Sequence, residues 1–441
     1  MRKITSLIFF IYLLHSTIYS QNKKLTVQQL TVKEGLSDNT INCILQDHSG
    51  FMWFGTNDGL NRYDGSNIKI FRPQNKFIQI LGLCQTPDSL IYIATKNGLY
   101  KFNPVTQKFI HHYEYTPNKK NSLPADIVSS VHPAQKGGLW ITSNRGLSHI
   151  KFSVNPITKN STPKFTNFHQ DDTTGSKIPS ENLTDLYEDN EGIVWISCMN
   201  PFLIRFDPST GHFEKIQLIN TDKQGSTPRS ILNIYPVNNN QLWLTSLGGG
   251  VIILNKKDLK CRHLKFNPHI NIKNTISHSD VYGISKDGDG NIWLGTWNGI
   301  DIINPKRLID STNPPIKHYN RTHPKFRNKL ENRIKTLFFD RSGVMWIGTF
   351  TGGIVKVHME AENFKHVQLK NKESLNDLEI KDIKEDKQGY LWISTYYGGI
   401  KKSNQKVGTT STFTFSQYKH DRDDKTSIAS NIVLSSCRDK K

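Results

Sequence analysis

This chain writes one short sentence eight times, and that repetition limits its fold more than any other property. The versions include HSGFMWFGTNDGLNRYD, PDSLIYIATKNGLYKFN, GDGNIWLGTWNGIDIIN and KQGYLWISTYYGGIKKS. Each centres on one aromatic anchor: Trp53, Tyr92, Trp140, Trp195, Trp243, Trp293, Trp346 and Trp392. The anchors are spaced 39, 48, 55, 48, 50, 53 and 46 residues apart, and seven of the eight tryptophans fill this slot. A repeat of that length, built from strand-like pieces, points to a propeller or array.

The first unit decodes into four strands. TINCILQD is mostly apolar, as suits a strand buried on both faces. HSG is a turn in which Gly50 can take a positive φ. FMWFGT is a second strand, NDG a second turn, and LNRYD an alternating third strand; beyond Gly65, IKIFR alternates again as an outer strand. Four short antiparallel strands cannot bury both faces alone. Radial stacking of such blades buries them and hides the edges. The anchor is then a wedge between blades, Gly50 and Gly59 are turn residues, and Asp47 accepts hydrogen bonds within its turn.

The expected class is all-β: a seven-bladed propeller of four-stranded blades, followed by the start of a second. LTVQQLTVKEGLSDN (25–39) aligns with FKHVQLKNKESLNDL (364–378), each an outer strand followed by a blade lead-in. The N-terminal strand is therefore expected to complete blade seven, giving a first propeller over 21–370 and a second beginning at 371–441. SIASNIVLSSCRDKK at 427–441 repeats earlier blade openings, so the chain ends inside a ninth unit and reads as a truncated frame or fragment.

The ends and composition bound the rest. MRKITSLIFFIYLLHSTIYSQ reads as a secretory signal peptide over 1–20, too short in its apolar run for a span. No other segment is long and apolar enough to cross a bilayer, and export implies a periplasmic location. Cys43, Cys84, Cys198, Cys261 and Cys437 are odd in number and irregularly spaced, which argues against a disulfide framework or zinc site and for small core residues. The net charge of +19 is spread along the chain without a dense basic block, so nucleic acid is not an expected partner.

The unit D-x-x-G-x-x-W-[IFL]-[GS]-T-x-x-G-[LI] and the lead-in LTVKEGLSDNTINCILQDHSGFMWFGTNDGLNRYDG resemble the two-component regulator propeller repeat. The resemblance covers residues 25–441. It implies the periplasmic sensor region of a hybrid two-component system, in which two seven-bladed propellers precede an immunoglobulin-like domain, a membrane helix, a histidine kinase and a DNA-binding regulator. It implies an oligosaccharide ligand from polysaccharide breakdown; a homodimer through the propellers is a separate expectation. Kinase and regulator parts are not in this chain.

No catalytic set, cofactor or metal site is expected. SKDGDGNIW (285–293) approaches a sialidase Asp-box, but such boxes are turn motifs. DGDGN places Ile292 and Asn298 where a calcium loop needs Gly and Glu. A propeller hydrolase or lyase and a protein-binding scaffold are the alternatives. For a sensor, the candidate ligand residues lie in the second-to-third-strand turns, where aromatic rings sit beside amides or charges: Trp297, Asn298, Tyr396, Tyr397, Phe350, Arg145 and Asp58. Trp297 leads because it is the one tryptophan outside the anchor slot. The positive charge tilts the expectation toward an acidic glycan.

Overall fold

A computed structural model describes residues 24–154, 161–171, 177–218, 228–267, 269, 275–310, 315–360, 368–369, 379–407 and 412–437. The leader at 1–20 and most of the 364–378 segment lie outside the described residues. The chain divides into two compact units, one of Leu25–Met359 and one containing Glu360–Lys441.

In the larger unit the chain lays down antiparallel sheets of four strands in sequence order. The first has Ile41–Gln46 innermost, then Met52–Thr56, Gly59–Tyr63 and Ile68–Phe71 at the rim. Five more sheets repeat this order, their inner strands being Ile80–Gln85, Val128–Pro133, Leu183–Glu188, Ser230–Asn238 and Val281–Lys286. The seventh sheet has only three strands from its own stretch, Ile334–Phe339, Val344–Thr349 and Ile354–Glu360. Its fourth strand is the N-terminal Lys24–Leu30, hydrogen-bonded beside Ile354–Glu360. Gln29 Nε2 donates to the Gly352 carbonyl at 2.8 Å, which ties that strand to its blade. Between blades 7 and 1, the Arg341 amide donates to Gln46 Oε1 at 3.0 Å.

The core confirms a closed ring. Among the described residues, seven buried apolar clusters each join two successive blades, including one that joins blade 7 to blade 1 through Trp346, Ile354, Ile41 and Phe54. The anchors sit inside these clusters; Trp53 meets Phe71 and Phe102 with ring centres 5.7 and 5.5 Å away. A buried indole removes roughly 200 Å² from water, an upper bound of about 5 kcal/mol per anchor.

Asp47 does more than shape its turn. One carboxylate oxygen accepts the Phe51 amide at 3.0 Å and the other accepts the Trp53 indole N–H at 2.7 Å. The same indole bond recurs from Trp195 to Asp189, Trp293 to Asp287 and Trp346 to Asp340, at 2.8, 2.9 and 2.7 Å. The threonine of the repeat closes the second turn. Thr56 Oγ1 donates to the Gly59 carbonyl at 3.0 Å and accepts the Asp58 amide at 3.0 Å. Gly59 has φ +105°, and a Cβ there would stand 2.9 Å from the Phe71 carbonyl.

The smaller unit contains one four-stranded sheet of Ile380–Glu385, Tyr390–Thr395, Ile400–Lys406 and Phe415–Tyr418. Trp392 again donates to Asp386 at 2.9 Å. The residues after this blade dock along it as a lead-in: Gly399 donates to the Asn431 carbonyl at 2.9 Å, as Gly353 does to Asn39 in the larger unit. Gln368–Leu369 pairs in parallel with Thr412–Phe413.

Candidate functional site

The inner strands of the larger unit share an irregularity close to their first residue. In each, one residue slips out of register with the second strand, the signature of a β-bulge. The slipped residues are Asn42, Leu81, Ser129, Leu232, Tyr282 and Lys335, with Thr184 and Asp185 at the matching place in blade 4. These positions lie at the end of the inner strands nearest the second-to-third-strand turns and the blade links.

Three of them clamp neighbouring blades. Asn42 Nδ2 donates to the Ile80 carbonyl at 2.7 Å, Ser129 Oγ to Leu183 at 2.8 Å, and Thr184 Oγ1 to Ile231 at 2.7 Å. Each acceptor belongs to the next blade and stands just before that blade's own bulge. Tyr282 and Lys335 make no such clamp among the described residues, and both join an aromatic cluster instead.

That cluster comprises Tyr282, Trp297 and Phe350. The Tyr282 and Trp297 ring centres are 5.7 Å apart, Tyr282 and Phe350 5.0 Å, and Trp297 and Phe350 5.3 Å, the last two edge to face. The Trp297 amide donates to the Asp280 carbonyl and the Phe350 amide to Arg333, each at 3.1 Å, so both turns are fixed to the blade lead-ins. Trp297 stays 37% exposed.

Two cations flank the rings. The Arg333 guanidinium carbon lies 5.5 Å from the Trp297 ring centre, and Lys335 Nζ lies 4.8 Å from that of Phe350. Arg333 is partly neutralised by Glu331, 2.5 Å from its Nε, and it also donates to Thr351 Oγ1 at 3.1 Å. Lys335 forms no ion pair among the described residues. Burial pushes its ammonium below the usual lysine range, and Lys96 adds to this while Cys43 and Asp38 oppose it. Burial also raises the Tyr282 phenol, helped by Asp280 and opposed by Arg229.

The structure brings together Trp297, Asn298 and Phe350; Asn298 Oδ1 accepts from Asn332 Nδ2 at 3.4 Å. It places Asp58 and Arg145 on blades 1 and 3, away from this cluster. Asp58 is engaged by Arg72 through two bonds of 2.8 and 2.6 Å, and Arg145 lies exposed with its carbonyl bonded to His169. Tyr396 and Tyr397 belong to the smaller unit, where their rings meet at 4.6 Å and Lys381 lies 4.9 Å from the Tyr396 ring centre. Reading the turns alone missed Tyr282, Arg333 and Lys335. Aligning the inner strands INC, ILG, VSS, LTD, ILN, VYG and IKT exposes the bulge slot as Asn, Leu, Ser, Thr, Leu, Tyr and Lys.

Cys43, Cys84, Cys198 and Cys261 of the propeller are free thiols. Burial pushes Cys43 and Cys84 up to about 12 and Cys261 to about 11.

Comparison with known proteins agrees with the repeat. Residues 35–58, 275–298, 328–351 and 374–397 match the family described as two component regulator propeller. A 69-residue stretch is 39% identical to histidine kinase P4 of Formosa agariphila, covering 16% of this chain and 5% of that protein. Among solved structures, the extracellular domain assigned to the hybrid two component system BT3049 of B. thetaiotaomicron has a TM-score of 0.62 at 23% identity, over 95% of this chain and 51% of that one. The corresponding domain of BT4673 gives 0.56 at 18% identity, over 93% and 49%. A streptogramin B lyase gives 0.53 at 14% identity over 76% of this chain and 98% of that one. These structural likenesses bear on the fold alone. The chain spans about half the length of the two extracellular domains and a small fraction of the kinase.

Proposed function

We propose that this chain, which carries two-component regulator propeller repeats, is the ligand-sensing part of an exported two-component receptor. In this reading the ligand is an oligosaccharide bearing an acidic group. It binds at the end of blades 6 and 7 where Tyr282, Trp297 and Phe350 meet.

The observation that carries this reading is the pairing of a half-exposed indole with an unpaired, partly buried cation. An aromatic ring covers the C–H face of a sugar, while Asn298 and Arg333 supply hydrogen bonds to hydroxyls. Lys335 is held out of bulk water without a counter-ion among the described residues, so an incoming carboxylate or sulfate recovers interaction that burial has removed. Binding then shifts a receptor equilibrium only by its differential affinity for two states. Export rests on the leader at 1–20.

The test is thermal unfolding of the chain against neutral and uronate-containing tetrasaccharides, with the glycans analysed afterwards. Stabilisation by an unchanged acidic glycan supports the sensor, since binding the native state raises the melting point. A cleaved glycan assigns a hydrolase or lyase instead, and no response to any glycan removes the carbohydrate reading.

A further inference from the structure

A groove lies on the opposite face of the propeller, between blades 5 and 6. It begins with a broken rule. In blades 1, 4, 6 and 7 the anchor tryptophan donates its indole N–H to the carboxylate six residues earlier. Blades 3 and 5 lack that acid, with Ala134 and Val237 in its place.

Blade 3 is repaired from next door. Glu188, the last inner-strand residue of blade 4, reaches back and accepts the Trp140 indole N–H at 3.1 Å and the Gln135 amide at 2.9 Å. Blade 5 has no such repair. The residue of blade 6 that corresponds to Glu188, immediately before the turn aspartate, is Lys286. Trp243 is 1% exposed, and its indole N–H has no hydrogen-bond partner among the described residues.

The groove of 870 Å³ is lined by Trp243, Val237 and Lys286 together with Lys260 and Lys306. The matching groove between blades 3 and 4, where Glu188 is present, measures 450 Å³. Asp287 and Asp289 also line the larger groove, but Asp287 already accepts from Trp293 and Asn291. A buried donor without an acceptor is destabilising, and the residue in the register of the missing acceptor is the exposed cation Lys286. An oxyanion satisfies both at once.

We infer that the groove between blades 5 and 6 binds a small organic carboxylate, whose oxygens accept from the Trp243 indole N–H and pair with Lys286. The cavity volume lies in the range of small-molecule sites and admits a uronic acid. This guest takes the place that a protein carboxylate holds in the other tryptophan blades. The site stands apart from the aromatic cluster of blades 6 and 7 and does not depend on its reading.

The experiment is an indole ¹⁵N–¹H titration of the full chain with sodium glucuronate, sodium acetate and glucose. The Trp243 resonance is identified by its loss in Trp243→Phe. The expected result is a saturable shift of that resonance with glucuronate and none with glucose; a response to acetate as well assigns the recognition to the carboxylate itself. Lys286→Glu imports the blade 4 arrangement, so it should move the Trp243 resonance without ligand and weaken glucuronate binding at least tenfold. A Trp243 resonance that ignores both carboxylates, or that follows glucose equally, overturns the proposal. So does a Lys286→Glu protein that titrates like the parent.

Discussion

Asp189 and Trp195 form a buried pair: the carboxylate accepts the indole N–H at 2.8 Å and also receives Lys256 Nζ at 2.9 Å from the next blade. One side chain thus shapes a turn, holds a wedge and ties two blades. Asp189→Ala leaves the indole N–H and the Lys256 ammonium without partners, and should cost about 3–5 kcal/mol. Burial raises the Asp189 carboxyl, but the Trp195 and Lys256 contacts outweigh it and its pKa falls below the usual value. Since the folded-state pKa is the lower one, the stabilisation is present above about pH 4 and fades as pH falls through the folded value. Melting curves from pH 7 to pH 3 check this: the Asp189→Ala protein should lose less stability in acid than the parent.

Gly55 packs where the second strand of blade 1 meets blade 2. A Cβ there would stand 2.4 Å from Cys43 Sγ and 2.5 Å from Ile80 Cγ2. Gly55→Ala should therefore destabilise by roughly 1–3 kcal/mol through overpacking. Gly50→Ala meets no atom within 4 Å but keeps φ +96°, so its cost is backbone strain of about 1–2 kcal/mol. Measured by denaturant midpoints, Cys43→Ala in the background should shrink the cost of Gly55→Ala in part, since Ile80 still crowds the site, and leave that of Gly50→Ala unchanged.

Leu30 is 4% exposed on the strand that closes the ring. Leu30→Ala should cost about 2–4 kcal/mol as a core truncation. Because the contact lies at the closure, hydrogen exchange should quicken in Ile354–Glu360 and in Ile41–Gln46 before the middle blades respond.

The repeat was legible because its chemistry is local. An anchor tryptophan, two turn glycines and a threonine within one hairpin fix the strand boundaries. Asp47 and Trp53 are close in sequence, yet their hydrogen bond was not read, because it appears only when the hairpin folds the two onto one side. Closure joins residues such as Gln29 and Gly352, 323 positions apart, and no local pattern carries that pairing; only the likeness between 25–39 and 364–378 hinted at it. The candidate site was legible in part. Trp297 and Phe350 stood out as turn aromatics, while Tyr282 and Lys335 looked like ordinary strand residues. A bulge reorients them, and bulges leave no mark in apolar periodicity.

Lys335 and Trp297 bear the central claim, and a calorimetric titration tests it most directly. The ligand is the uronate-containing tetrasaccharide that most stabilises the chain, compared with its neutral counterpart. Trp297→Ala should lose at least tenfold affinity for both glycans with little change in melting point. Lys335→Met should lose at least tenfold for the acidic glycan alone, and should melt no lower than the parent because a partly buried charge without an ion-pair partner among the described residues has been removed. Parent-like affinity for the acidic glycan in both variants would contradict the account.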